Sequence, residues 1–254
     1  MILMHYLLIS VPNPRRMRLN TSMLVLYADI AANIFLLQMI VCSKTFDDRV
    51  GCFQLIEALR ENDGTYPNDI YYVFTVQEEV GCRGSKTTAA FIKPDIGIAV
   101  DVTPAHDYPC DLTGSNAIGE GIGIKVADPS VLCDEDVIAV MEQCCRHKDI
   151  PFQYEVIDKG GCDASSMNLS NFGVRAGGIS VVTRYAHCSS SVISKEDAES
   201  GIRLCTAFSK YEFQFWGTSV MIHTTSWPYA NEIGITEKLS CDLLVLGGGL
   251  VQSV

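Results

Sequence analysis

The sequence predicts an α/β fold, a parallel or mixed sheet flanked by helices. Three observations carry that expectation. From about Lys44 onward the hydrophobic pattern alternates between helical and strand periods. Within it, "DIGIAV" (Asp95 to Val100) and "GISVVT" (Gly178 to Thr183) are continuous apolar runs, the pattern of strands buried on both faces. A chain of 254 residues with 48% hydrophobic and 19% charged residues is long and apolar enough to bury one sizeable core.

Taken in order, the elements begin with Met23 to Cys42, a largely apolar stretch of membrane-spanning length behind Arg15, Arg16 and Arg18. Asp29, Asn33 and Gln38 argue against a span, because polar and ionisable groups are costly inside a bilayer. Asp48 to Arg60 reads as a helix with Val50, Phe53, Leu55, Ile56 and Leu59 on its apolar face. Tyr71 to Gln77 reads as a strand and Ser85 to Ile92 as a helix stopped by Pro94. The run Asp95 to Val100 follows, and it and Tyr71 to Gln77 are expected at the centre of the sheet. Asp134 to His147 is a helix with acidic residues in its first turn, where they complement the helix dipole. Gln153 to Ile157 and Gly178 to Thr183 are strands three and four. Ser194 opens a last helix, to about Phe213, with a Ser-x-x-Asp capping box closed by Asp197. The tail from 214 to 254 has no clear period before an apolar patch near Leu243.

Nineteen basic against 30 acidic residues give a net charge of −11, which argues against nucleic acid and anionic membranes as partners. Eleven cysteines, an odd number with no Cys-x-x-Cys pair, argue against a disulfide framework and a cysteine zinc site, and place the protein in a reducing cytoplasm.

Glu78 and Glu79 stand side by side after the strand Tyr71 to Gln77; Asp101 ends "DIGIAV"; His187 follows "GISVVTRY"; Asp47 precedes the first helix. All are expected at one sheet edge, where open α/β sheets bind ligands. Several carboxylates gathered there repel one another unless protons or cations intervene. Asp, Glu and His are zinc or cobalt ligands, and two such ions can activate a water. Each residue alone also fits a structural role: Glu78 and Glu79 a solvated loop, Asp47 and Asp48 a helix cap, and His187 a hydrogen-bonded structural histidine.

The segments "SKTFDDRVGC", "VFTVQEEVGCRGSKTTAAFIKPDIGIAVDVTPAHDYP" and "GGCDASSMNLSNFGVRAGGISVVTRYAHCSS" resemble the glutamyl and deblocking aminopeptidases, dinuclear metal enzymes that form tetrahedral particles. The resemblance covers about residues 44–213, and three ordered motifs of this length are specific. It implies a three-layer mixed sheet of the phosphorylase/hydrolase-like metallopeptidase type, peptide substrates and a homo-oligomer. It also implies two divalent ions, zinc or cobalt, with Asp47 bridging them, Glu79 and His187 on one and Asp101 on the other. Glu78 becomes the general base that takes a proton from the attacking water. Gly160, Gly161, Cys162 and Asp163 resemble the family's Gly-Gly-Thr-Asp loop, with Gly161, Cys162 and Asp163 expected to shape the substrate pocket.

The chain departs from the family in two ways. The family's earlier His-x-Asp motif, which completes the metal held by Asp101, is absent ahead of Asp47; His147 and Asp149 have the spacing but read as coincidence, and neither His106 nor His223 is an obvious substitute. The family's inserted β-barrel domain has no room in residues 1–43. The expectation is a partial catalytic domain at 44–213 between unmatched segments 1–43 and 214–254, as in a truncated or mis-spliced reading frame. The competing functions are an inactive fragment holding at most one metal, and a glycosidase. The last needs two carboxyl groups roughly 5–10 Å apart across the scissile bond, which adjacent glutamates do not offer.

Overall fold

The structure, a computed structural model, describes residues 2–4, 35–37, 39–110 and 113–213. Ten strands and five helices alternate along it. Strands β1 (Ile2–Met4), β2 (Phe35–Leu37) and β3 (Ile40–Ser43) precede helix α1 (Phe46–Arg60). Then come β4 (Ile70–Tyr72), α2 (Arg83–Ile92), β5 (Ile96–Pro104), β6 (Ile122–Asp128), β7 (Val131–Leu132) and α3 (Glu135–His147). Strand β8 (Phe152–Val156), the short α4 (Ala164–Asn168), β9 (Arg175–Arg184), β10 (Ser191–Ser194) and α5 (Lys195–Ser209) complete it.

All ten strands belong to one mixed sheet. Its centre is the parallel pair β5 and β9, in register from Ile96 opposite Arg175 to Pro104 opposite Thr183. Strands β1 and β4 continue the parallel part beyond β5. The other edge of β9 is shared: β6 pairs antiparallel with Ser180 to Gly178, and β10 pairs antiparallel at Thr183 and Arg184. Beyond β10 lie β3 and β2, and beyond β6 lie β7 and β8.

Near-continuous burial of β5 and β9 follows from helices on both faces. On one face α3 lies so close to β9 that a Cβ at Gly177 would stand 2.6 Å from Val137 Cγ1 and 3.1 Å from Met141 Cε. On the other, Gly97 admits α4, with Met167 Sδ 3.0 Å from where its Cβ would be. The core on that side joins Ala89, Ala99, Val131, Cys133, Cys162, Met167 and Ala176. It also buries an ion group: Lys125 Nζ pairs with Glu155 Oε1 and lies 3.2 Å from Asp128 Oδ2, all three side chains at most 2% exposed.

The structure corrects several expected bounds. The strand Tyr71 to Gln77 shrinks to Ile70–Tyr72 and lies at the end of the sheet beside β1 instead of at its centre, with Tyr71 43% exposed. Residues after Tyr72 leave the ladder to form the loop that carries Glu78. The last helix ends at Ser209, where the Asn68 amide donates to the carbonyls of Ser209 and Tyr211. Ser194 caps it as expected, accepting the Asp197 amide at 3.4 Å. Asp197 does not close the box: its carboxylate accepts the amides of Gly119 and Gly121 at 2.7 and 2.9 Å. In the apolar stretch Met23 to Cys42, Phe35–Leu37 and Ile40–Ser43 form strands, while residues 23–34 lie outside the described residues, as do His223 and the tail 214–254. Among the described residues no helix is long and apolar enough to cross a membrane.

Candidate metal centre

Asp47 and Asp48 open α1 with non-helical dihedrals, φ/ψ −80°/111° and −118°/61°. The peptide between them is cis. Thr45, ahead of them, makes no side-chain cap; Asp48 does that work, its Oδ1 accepting the Gly51 amide at 2.9 Å. The Asp47 carboxylate meets His187 instead.

Glu78 and Glu79 lie in a turn between β4 and α2. The Glu78 carbonyl accepts the amides of Gly81 and Cys82, and Gly84 N–H donates to Val76 O. His187 follows β9 by three residues in another tight turn, with φ 61° and the Cys188 amide on the Tyr185 carbonyl. These turns bring three distant side chains together. His187 Nε2 is 2.8 Å from Asp47 Oδ2 and 3.2 Å from Glu79 Oε2, and the ligand atoms of all three lie within 4.8 Å of one another.

Asp101 is placed differently from the expectation. It does not end its strand, which runs on to Pro104; it sits within β5 opposite Ser180 and is 8% exposed. Its Oδ1 accepts the amide of Val102 at 2.7 Å. Asp101 still belongs electrostatically to the cluster. Burial, then the charges of Asp48, Glu78 and Asp47, hold its carboxyl well above the usual carboxylate range. Asp48 is raised likewise, by burial first and by Glu78, Asp163 and Glu79, against the Gly51 hydrogen bond. Glu78 is pushed up to about 7 by burial, with Asp163, Glu79 and Asp47 adding to it. Burial and Glu79 raise Asp47, and His187 offsets part of that. Every one of these groups resists its negative charge, the condition that a bound cation relieves.

Two carboxylates and an imidazole within mutual reach are the three-ligand set of a catalytic zinc-type site. Asp47, Glu79 and His187 therefore fit a divalent ion. A second group, Glu78, Cys82 and Asp163, also has its ligand atoms within 4.8 Å. Asp48 takes the capping part that its place at the start of the helix suggests, whereas Cys82 does not stand out in the sequence, although it lies inside a motif that carried the resemblance.

The Gly161, Cys162 and Asp163 loop is corrected in part. Cys162 is 2% exposed and packed in the core cluster, so it lines no open wall. Gly161 abuts Ser130, whose Oγ would be 2.7 Å from a Cβ there. Asp163 accepts hydrogen bonds from Thr75 Oγ1 at 2.9 Å and from Ser85, which ties the Glu78 loop and α2 to α4. His147, the last residue of α3, and Asp149, two residues past it, are both exposed, in keeping with coincidental spacing.

A sequence profile described as M42 glutamyl aminopeptidase matches residues 27–204. A protein of Acetivibrio thermocellus named only as an aminopeptidase is 43% identical over 164 residues, 65% of this chain and 49% of the relative. The aminopeptidase APDkam598 of the archaeon Desulfurococcus kamchatkensis superposes with a TM-score of 0.68 at 35% identity, over 72% of this chain and 52% of the other. The TET1 peptidase of Pyrococcus horikoshii does so with a TM-score of 0.64 at 28% identity, over 72% and 54%. The chain thus spans about half the length of the curated relatives it matches.

Proposed function

Because this chain belongs to the M42 glutamyl aminopeptidase family, we propose that it serves a metal-dependent aminopeptidase, releasing N-terminal residues from peptides. The observation that carries this reading is the convergence of Asp47, Glu79 and His187, with Glu78 beside them. Asp47, Glu79 and His187 would hold one divalent ion, and Asp47 with Asp101 would face a second. Two carboxylates and an imidazole suit zinc or cobalt. When bound, such ions supply Lewis acidity toward water and the scissile carbonyl.

The chain's own residues do the rest. Glu78, at the end of the 73–78 segment and raised to about 7, takes the proton of the attacking water on its carboxylate and returns it to the leaving amine. Asp163 stays fixed by Thr75 and Ser85, which holds the Glu78 loop against α4. The rigid β5 and β9 pair sets the floor on which Asp101 and His187 are mounted. Gly161, the exposed residue of its loop, would border the substrate. Assembly of several copies, as in the tetrahedron or octahedral shell of the Pyrococcus horikoshii peptidase, belongs to the same proposal. So does a cytoplasmic home, supported by the thiols of Cys133, Cys144, Cys145, Cys162 and Cys205, which stand in no disulfide.

The test is metal content by elemental analysis after zinc loading and desalting, on the wild-type chain and on His187→Ala. At least one tightly held ion per chain that is lost in the variant is the expected result. Equal metal content in the two proteins would remove the cluster from the reading.

A further inference from the structure

We infer that the exposed face of α2 carries the downstream part of the peptide substrate, a role that rests on the proposed function for where the substrate begins. This face selects peptides with acidic residues a few positions after the scissile bond and a large apolar residue beyond them.

Placement is the first support. Helix α2 begins where the turn of Glu78 and Glu79 ends, and the two are bonded together: the Cys82 amide donates to the Glu78 carbonyl at 2.8 Å, and the Gly84 amide to the Val76 carbonyl at 3.0 Å. Gly84, Ser85 and Ala89 form the buried side of the helix. Arg83, Lys86, Thr87, Ala90 and Phe91 are exposed, with the three- and four-residue spacing of one helical stripe. The exposed Val80 links that stripe back to Glu79. A peptide whose amino end is held at Asp47, Glu79 and His187 and which extends over Val80 meets Arg83 and Lys86 before Phe91.

The composition of the stripe is the second support. Its far end is a patch of three large apolar side chains, Phe91, Leu169 and Phe172, which are 87, 79 and 76% exposed. They adjoin because α4 and the turn after it pack on α2: Asn171 donates its side-chain amide to the Ala89 carbonyl at 3.2 Å, and the hydroxyls of Ser85 and Ser166 share a hydrogen bond. Single exposed hydrophobic residues are ordinary, but three together mark a contact with another molecule. Nearer the metal cluster, no ion pair among the described residues neutralises Arg83 or Lys86. On a chain of net charge −11, a cationic stretch leading to an apolar patch complements a ligand with carboxylates first and an apolar side chain after them. Patch-to-patch docking of a second copy would gather like charges instead.

The length suits an extended peptide. From Arg83 to Phe91 the helix rises about 12 Å, the span of about four residues of extended chain. Acidic residues opposite Arg83 and Lys86 therefore precede the apolar residue by about two to four positions.

The experiment compares two peptides labelled with fluorescein at their carboxyl ends, Ala-Ala-Asp-Glu-Ala-Ala-Phe and Ala-Ala-Asn-Gln-Ala-Ala-Phe. Binding to the chelator-stripped full chain, followed by fluorescence anisotropy, should be roughly five- to tenfold tighter for the acidic peptide, the worth of two exposed ion pairs. The difference should shrink as salt is raised. Lys86→Glu should erase the preference, and Phe91→Ser should weaken both peptides alike. With the zinc-loaded chain the same ratio should appear in KM and not in kcat, while hydrolysis of alanine p-nitroanilide, too short to reach α2, should be unchanged in both variants. Equal binding of the two peptides, a preference that survives Lys86→Glu, or wild-type self-association that Phe91→Ser abolishes would each overturn the inference. A preference in binding with no hydrolysis of any peptide would overturn the proposed function while upholding the ligand assigned to this face.

Discussion

Lys125→Met should destabilise the fold more than any exposed charge removal. The wild-type amine is 2% exposed, and the side chains of its partners Glu155 and Asp128 are fully buried. Burial pushes Lys125 down, but the charge and hydrogen bond of Glu155 together with Cys162 and Asp128 outweigh it and hold the amine charged. Methionine preserves much of the length and removes the charge. Asp128 remains partly satisfied, because its Oδ1 accepts from Ser130 and Val131. Glu155 does not: its Oε2 already lacks a hydrogen bond, and its Oε1 loses Lys125. Breaking a buried pair in this way costs about 3–5 kcal/mol. At this chain length that is a fall in Tm of about 6–20 °C. Urea unfolding followed by far-ultraviolet circular dichroism gives the free energy, and a thermal melt gives the second number. Lys125→Met/Glu155→Leu should recover at least about 2 kcal/mol, since an apolar pair can replace a buried ion pair at little cost. A single variant within about 1 kcal/mol of wild type, or a double variant no better than the single, refutes the argument that the pairing, and not the packing volume, is what matters.

Gly201→Ala should cost about 1–3 kcal/mol in the same assay, because its Cβ would meet Gln54 Nε2 at 2.0 Å and Ile122 Cδ1 at 2.9 Å between α1 and α5; an unchanged midpoint would mean that the two helices have room. Ser194→Ala removes the cap of α5 and should cost about 1 kcal/mol, with loss confined to the Asp197 amide bond; no change in the urea midpoint would show that cap idle. Asp197 is raised to about 6 by burial, against the amides of Gly119 and Gly121. The folded chain therefore binds that proton more tightly than the unfolded chain. Its contribution to stability is present at low pH and lost as pH rises from about 4 to about 6. Asp197→Asn should flatten that part of a pH series of melts, and an identical slope in both proteins would contradict the assignment. Glu78→Gln should abolish peptide hydrolysis while metal at Asp47, Glu79 and His187 is retained; strong residual turnover would take the proton transfer away from Glu78.

Much of the fold was legible because the relevant signals are local. The apolar runs of β5 and β9 read correctly since a strand between two helix layers tolerates few polar residues. Helix α3 matched its acidic start, and Asp134 caps it by accepting the amides of Asp136 and Val137. Strand β6 escaped notice because Lys125 interrupts an otherwise apolar run, and only its pairing with Glu155 and Asp128 lets that charge be buried. Strand β4 was read too long because the apolar residues after Tyr72 lie in a half-buried to exposed loop, and hydrophobicity alone does not separate such a loop from a strand.

The sequence by itself determined the residue types of the site: the acid pairs Asp47–Asp48 and Glu78–Glu79, Asp101 behind an apolar strand and His187 behind another. It determined the fold class as well, since burial patterns repeat within a few residues. Only the tertiary structure decided which of these side chains meet. Asp47, Glu79 and His187 come within ligand reach because three separate turns, with Thr45, Gln77 and His187 itself in left-handed conformations, close against one sheet. Only packing, too, turned Asp48 onto Gly51 with one bare oxygen, and set Cys82 beside Glu78 and Asp163. Distances of this kind depend on the register of β5 with β9 and on how α2 and α4 lie across it. No local pattern of amino acids encodes them.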